Sequence, residues 1–336
     1  MRALLSSTQL KITGLFIGGV LLVLAVYASI VLGVIDTSWR TLLETYTNFN
    51  GTNEHIVIRE VRIPRAFIAV AVGICLGISG VLLQTLTRNP MADVGILGIN
   101  AGASLLIVVA VAFFSVSTLA SLTWIGFAGA ALSGVIVYAL GSLGREGATP
   151  LALTLAGSAM FALASSFTQG ILLFKESAME EVLFWLAGSV AGRSLDVLLS
   201  VLPYMMLAVI GSLLISGPLN TLKLGEDVAK GVGQRTGLVK LMCGLLIILL
   251  AGSSIAVAGP ISFVGLLVPH IARAIAGSDT RWMVVYSALL GAILLLTADI
   301  LARFIAMPKE LPIGVMTALI GAPFFIYAAR RGGGAS

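Results

Sequence analysis

Uncharged stretches alternate with short charged ones along nearly the whole chain, and the longest, Val94 to Gly144, contains no Asp, Glu, Lys or Arg. A helix crossing a bilayer core needs about 20 mostly apolar residues. That stretch therefore predicts two crossings. Further uncharged runs cover residues 12–35, 66–87, 147–174, 197–222, 241–272, 282–298 and 311–329. Most fit one crossing each. The run 241–272 is too long for one helix and short for two, and Gly259-Pro260 breaks it. It divides into a full span over 241–258 and a shorter one from Ile261 to Ala276, interrupted by Pro269 and Arg273. The pattern predicts an all-α polytopic membrane protein of ten helices. It forms a single domain over residues 1–336, with an outer loop over 36–65 and an inner segment over 217–237.

Composition agrees. Hydrophobic residues make up 58% of the chain and charged residues 10%, whereas soluble domains carry about 25% charged residues. The mean hydropathy is +1.08. An even number of crossings places both termini on one side. Arg2, Lys11, Arg88, Lys223, Lys230 and the Arg330-Arg331 pair then share that side. An excess of Lys and Arg marks it as cytoplasmic. The apolar run after Lys11 is longer than a signal-peptide core, so it is read as an uncleaved first span. The net charge of +5 follows this topology and includes no basic run suited to nucleic acid. Cys75 and Cys243 fall inside predicted spans, where lone thiols are packing residues. The sets Gly73, Gly77, Gly80 and Gly126, Gly129, Gly134 fit close approach of membrane helices.

Two hydrophilic segments exceed ordinary turns. The outer one ends in Arg59-Glu60-Val61-Arg62-Ile63-Pro64-Arg65. It reads either as an interfacial anchor or as a docking surface, since arginine suits bidentate pairing with carboxylates. The inner one, residues 217–237, places Leu222, Leu224, Val228, Ala229 and Val232 at amphipathic spacing, with Pro218 and Gly225 as punctuation. It reads either as a connecting loop or as one or two surface helices that meet a cytosolic partner.

Polar residues inside the spans are few. Asn89-Pro90 is expected to end the second helix on the inner side. His270 follows Pro269 without a second ligand at metal-binding spacing, so it reads as a packed histidine. Asp299 and Arg303 stand four apart near the outer end of the ninth span. They are either a neutralising helical pair or a functional intramembrane acid. In the fifth span, Thr154, Ser158, Ser165 and Gln169 share one helix face, with Thr168 nearby. That face serves either helix packing or an uncharged pore wall. No Gly-x-x-x-x-Gly-Lys-Ser/Thr loop is present, so the chain has no ATP-binding motif of its own. Intramembrane protease motifs are missing too. An ion-coupled secondary transporter would call for mid-membrane carboxylates, and no predicted span centre carries one.

Three blocks resemble the iron–siderophore and cobalamin branch of ABC-importer permeases, the FecCD-like family. Residues 62–104 hold Arg62-x-Pro64-Arg65, a glycine-rich helix, Asn89-Pro90, and Leu97-Gly98 followed by Gly102-Ala103. Residues 259–281 hold Gly259-Pro260, Pro269 and His270, and residues 298–326 hold Pro312 and Gly314. Leu224, Gly225, Glu226, Ala229 and Gly233 are similar to the family's cytoplasmic coupling loop. The departures are Met91, Val94 and Thr280, where the family commonly has Leu, Pro and His. The resemblance implies a multi-pass permease of the bacterial plasma (inner) membrane. It would pair with a second permease subunit, identical or paralogous, and dock two cytosolic ATPase subunits on the coupling residues. ATP and Mg would bind those ATPases, and no cofactor would bind this chain. An extracytoplasmic binding protein would deliver a ferric siderophore, or alternatively cobalamin or haem, to an outward cluster of Arg62, Arg65 and Arg303. The substrate would pass the Thr154/Ser158/Ser165/Gln169 face.

Overall fold

The computed structural model describes residues 4–33, 38–95, 98–143, 149–175, 182–183, 185–307 and 309–332. Every regular element among them is helical. Helix α1 (Thr8–Val31) starts at Ser7, whose hydroxyl accepts from the Leu10 N–H at 3.2 Å. Helix α2 (Trp39–Thr47) opens with a reciprocal Ser38–Thr41 capping box. Helix α3 (Asn53–Ile56), a π-wound turn (Val57–Arg62) and α4 (Ile63–Leu86) form one continuous rod. Then come α5 (Ile99–Phe114), α6 (Leu119–Ser142), α7 (Pro150–Phe174), α8 (Leu195–Lys223) and the short α9 (Glu226–Gly231). The chain closes with α10 (Thr236–Ala258), α11 (Val264–Ala276), α12 (Thr280–Phe304) and α13 (Ile313–Gly332).

Among the described residues, seven rods are long and apolar enough to cross a membrane: α1, the α3–α4 rod, α6, α7, α8, α10 and α12. Helices α5, α11 and α13 are shorter apolar helices. Inner and outer below follow the orientation expected from the charge distribution.

The α3–α4 rod is the axis of the bundle. Helices α8, α10, α11 and α12 pack around it, while α1 is applied to the outside through α12 and shows most of its apolar surface. The sequence explains this difference. Gly73 of α4 faces Gly291 of α12 so closely that a Cβ on either would collide with the carbonyl oxygen of the other. Without a hydrophobic drive between helices in lipid, such backbone contact is what holds them together.

Three boundaries differ from the sequence expectation. The outer loop is mostly helix, because α2 lies within it and the second span extends back through Arg65 and Arg62 to Asn53. The inner segment is shorter than expected, because α8 runs through Gly217-Pro218 to Lys223. Ile215, Leu219 and Leu222 are buried at helical spacing on one face and carry the helix past the proline. Pro269 does not interrupt α11, since the Gly265 carbonyl that it leaves without a helical donor accepts from Gln84 of α4.

Candidate functional site

At the inner end, Gly225 with φ +129° turns the chain from α8 into α9, a conformation open to glycine. Gly233 with φ +84° turns it out again. Helix α9 shows a mixed surface. Leu224 is 72% exposed, Val228 50% and Val232 70%. Leu224 stands just before α9, Val228 within it and Val232 just after it, so exposed apolar side chains flank and occupy this short helix. Ala229, one residue on from Val228, is fully buried. Glu226 also turns inward. Its carboxylate meets Lys240 at 2.6 Å and Lys230 at 3.3 Å, and accepts from the Thr236 hydroxyl at 3.3 Å. The Lys240 ammonium bonded to it holds the Glu226 carboxyl below the ordinary carboxylate range; burial pushes the other way, and Lys230 adds to the lowering. The expectation that Ala229 and Glu226 face a partner is thereby corrected. Glu226 ties α9 to α10, Ala229 lets α9 lie close, and the outward groups are Leu224, Val228 and Val232.

At the outer end, the structure brings Arg65 and Arg303 together on one carboxylate. Arg65 binds both oxygens of Asp299, with Nε at 2.8 and 3.1 Å, and reaches Glu310 at 2.6 Å. Arg303 binds the same Asp299 and donates to the Ser29 and Leu32 carbonyls at the end of α1. Arg62, re-aimed by the π turn, donates to the Ile30 and Val31 carbonyls at 3.1 and 2.7 Å. These arginines are 4%, 5% and 2% exposed for Arg62, Arg65 and Arg303, and Asp299 is fully buried. The cluster exists, but it points into the protein. Uncapped carbonyls at the end of α1 and the buried Asp299 draw the guanidinium groups inward. The expected outward display of charge is corrected on this point. The Asp299–Arg303 pair is the neutralising one.

Along α7, Ser158 and Gln169 are exposed, while Thr154 and Ser165 are half-buried. The Thr154 hydroxyl donates to Pro150 O at 2.8 Å and, with Thr87, Asn89, Met91, Ala92, Asp93 and Phe325, lines a cavity of about 170 Å³. Thr168 is buried and bonded to Ala164 O. Helix α4 stops at Leu86, before Asn89, whose Oδ1 accepts from Met91 N at 2.9 Å across Pro90. Gly98, with φ +75°, starts α5 against Gly157 and Phe161 of α7, and its carbonyl accepts from Ser133. His270 stands edge-on to Phe324, ring centres 5.3 Å apart. The Pro312 carbonyl caps the start of α13, and Gly314 N donates to Gly188 O at 3.1 Å. Cys75 and Cys243 are buried. No group of three or more His, Cys, Asp or Glu able to hold a metal occurs among the described residues.

One carboxylate escaped the sequence reading. Asp93 is buried, accepts from Phe263 N at 3.1 Å, and touches the start of α11 beside Gly265. Gly265 in turn packs on Gly80, six residues short of the end of α4, which is about 9 Å along the helix. The segment between α4 and α5 therefore carries an acid inward from the bundle end. It lies within a charge-poor stretch at a loop position, so a count of charges inside spans misses it.

The sequence profile of the FecCD transport family matches residues 21–331. The chain belongs to the FecCD transport family. Its Bacillus subtilis (strain 168) relative, "Probable siderophore transport system permease protein YfiZ", is 54% identical over 93% of this chain and 94% of its own. The Fe(3+)-citrate import system permease protein YfmD of the same organism is 43% identical over 89% of each chain. Ferric enterobactin transport system permease protein FepD of Escherichia coli (strain K12) is 40% identical over 93% of each. A solved chain described as an inward-facing metal-chelate type ABC transporter superposes with a TM-score of 0.82 at 28% identity, over 95% of this chain and 99% of that one. As a member of this family, the chain is a multi-pass inner-membrane transport permease of the ABC type.

Proposed function

We propose that this permease is the membrane-spanning subunit of an ATP-driven importer that carries a ferric siderophore inward. The carrying observation is the 54% identity with a permease named for siderophore transport, over almost the full length of both chains. The relatives named for Fe(3+)-citrate and ferric enterobactin support the ferric class over cobalamin or haem. A second permease subunit, identical or paralogous, completes the path across the lipid bilayer. Two separate cytosolic ATPases bind ATP and Mg and dock on the inner end. The exposed Leu224, Val228 and Val232 support that site, since apolar side chains at and beside a short surface helix gain by burial against a partner. An extracytoplasmic binding protein docks on the outer end. The inward arginine network of Arg62, Arg65 and Arg303 supports this platform from within by fixing the ends of α1, α4 and α12. The α7 face of Thr154, Ser158, Ser165 and Gln169 borders the path. The depth of Asp93 removes one argument against an ion-coupled carrier; family membership keeps the ABC reading ahead.

The test is ATP hydrolysis by the assembled complex in lipid. Adding binding protein loaded with ferric siderophore is expected to stimulate hydrolysis. Equal rates with and without the loaded protein would contradict the assignment.

A further inference from the structure

Three polar side chains from separate elements converge on Gly95. Asp93 comes from the connection between α4 and α5, Asn100 from the first turn of α5, and Ser262 from the break between α10 and α11. Asp93 and Asn100 are each 6% exposed. Both the Nδ2 and the Oδ1 of Asn100 are buried without a hydrogen-bond partner in the protein. Gly95 marks the meeting point. A methyl group there would stand 2.9 Å from Ser262 Oγ, 3.4 Å from Asp93 Oδ2 and 3.6 Å from Asn100 Nδ2. Buried polar groups that the protein leaves unpaired are satisfied by ordered water where the site is polar and has room. Of the three, Asp93 lines the cavity of about 170 Å³, and one water needs about 10–15 Å³ of such space.

We propose that Asp93, Asn100 and Ser262 form a binding site for ordered water, which joins the α4–α5 connection to the break between α10 and α11. The chemistry selects water over a cation. The ligand accepts from Asn100 Nδ2 and donates to Asp93 Oδ2, and water does both. A cation would use only the oxygens of this set, leaving the amide N–H groups of Asn100 unpaired, and would face the N-terminus of α11, whose dipole favours negative charge. The joint also holds a strained residue. Phe263 has φ +70°, a left-handed conformation unfavourable for a bulky side chain, and its N–H is the one bonded to Asp93. Water at Asn100 braces the carboxylate that pins Phe263.

A wet and a dry site give opposite signs when Asn100 becomes leucine. In a dry site, Asn100→Leu removes an unsatisfied amide and tightens the structure. In a wet site it removes a partner of the bridging water and loosens the joint. Hydrogen–deuterium exchange of the full chain in lipid nanodiscs reads the difference over residues 259–265. Asn100→Leu is expected to speed exchange there about tenfold, the scale of losing one buried hydrogen bond, with α1 unchanged. Ser262→Ala is expected to act in the same direction, and it decides the matter alone if Asn100→Leu does not accumulate. Unchanged or slower exchange in the variant measured overturns the proposal. Wild-type exchange in this segment that slows on adding sodium or potassium ions overturns the choice of water.

Discussion

Gln84 Nε2 donates to the Gly265 carbonyl oxygen at 3.2 Å, replacing the N–H that Pro269 lacks, and Gln84 Oε1 accepts from Arg273 at 3.2 Å. One α4 side chain thus completes the neighbouring helix α11. Gln84→Leu keeps the volume and deletes both bonds. A buried carbonyl left unpaired is expected to cost about 1–2 kcal/mol. The thermal midpoint in nanodiscs should fall accordingly. Adding Pro269→Ala restores a helical N–H to Gly265 O, so the double variant should recover part of the loss. A double-mutant cycle with no coupling would separate the two residues.

The outer network sets an order of sensitivity. Asp299→Leu strands Arg303 as a buried cation and leaves Arg65 to Glu310 alone, and breaking one partner of a buried pair costs about 3–5 kcal/mol. Arg303→Met leaves Asp299 still bonded to Arg65, so the loss should be smaller. Folded yield and thermal midpoint are expected to rank wild type above Arg303→Met and that above Asp299→Leu.

At the inner end, exposure separates docking from positioning. Changing Leu224, Val228 and Val232 together to serine should leave the permease folded yet lower ATPase co-purification and transport by more than tenfold. Glu226→Gln weakens a partly exposed pair, a loss of about 0.5–1 kcal/mol, and should loosen α9 while retaining partial coupling. Since the folded Glu226 pKa is depressed, its contribution is full above the ordinary carboxylate value. It is lost as pH falls through the lowered one. Exchange protection of residues 226–231 should therefore be level at neutral pH and decline only in acid, and Glu226→Gln should abolish that acid step.

The α7 face gives a labelling prediction. Single cysteines at Ser158 and Ser165, with Cys75 and Cys243 replaced, should react with small water-soluble thiol reagents in at least one state of the transport cycle. Protection in every state would assign the face to helix packing.

Much of this architecture was legible in one dimension, because lipid-spanning helices must be apolar over a fixed length. The uncharged runs mark α1, α6, α7, α8 and α12 directly. Contacts between distant elements were not legible. The approach of Arg62, Arg65 and Arg303 to each other is implied by resemblance, yet their inward aim depends on the end of α1 and on Asp299 sharing two cations. Nothing in the spacing of Glu226 and Ala229 says which face of α9 meets the bundle. Lys240, fourteen residues away in sequence, decides it. Asp93 was hidden because a loop position in sequence can still reach into the bundle.

The central claim is ATP-driven inward passage, and uptake of radiolabelled iron is its most direct measurement. Proteoliposomes would hold the permease with its partner permease and ATPase, with ATP and Mg on the ATPase side and ferric siderophore–loaded binding protein on the other. The account predicts accumulation that needs ATP, needs the binding protein, is lost with the Leu224/Val228/Val232 serine variant, and survives collapse of ion gradients. Accumulation that proceeds without ATP and stops when the gradients collapse would contradict it.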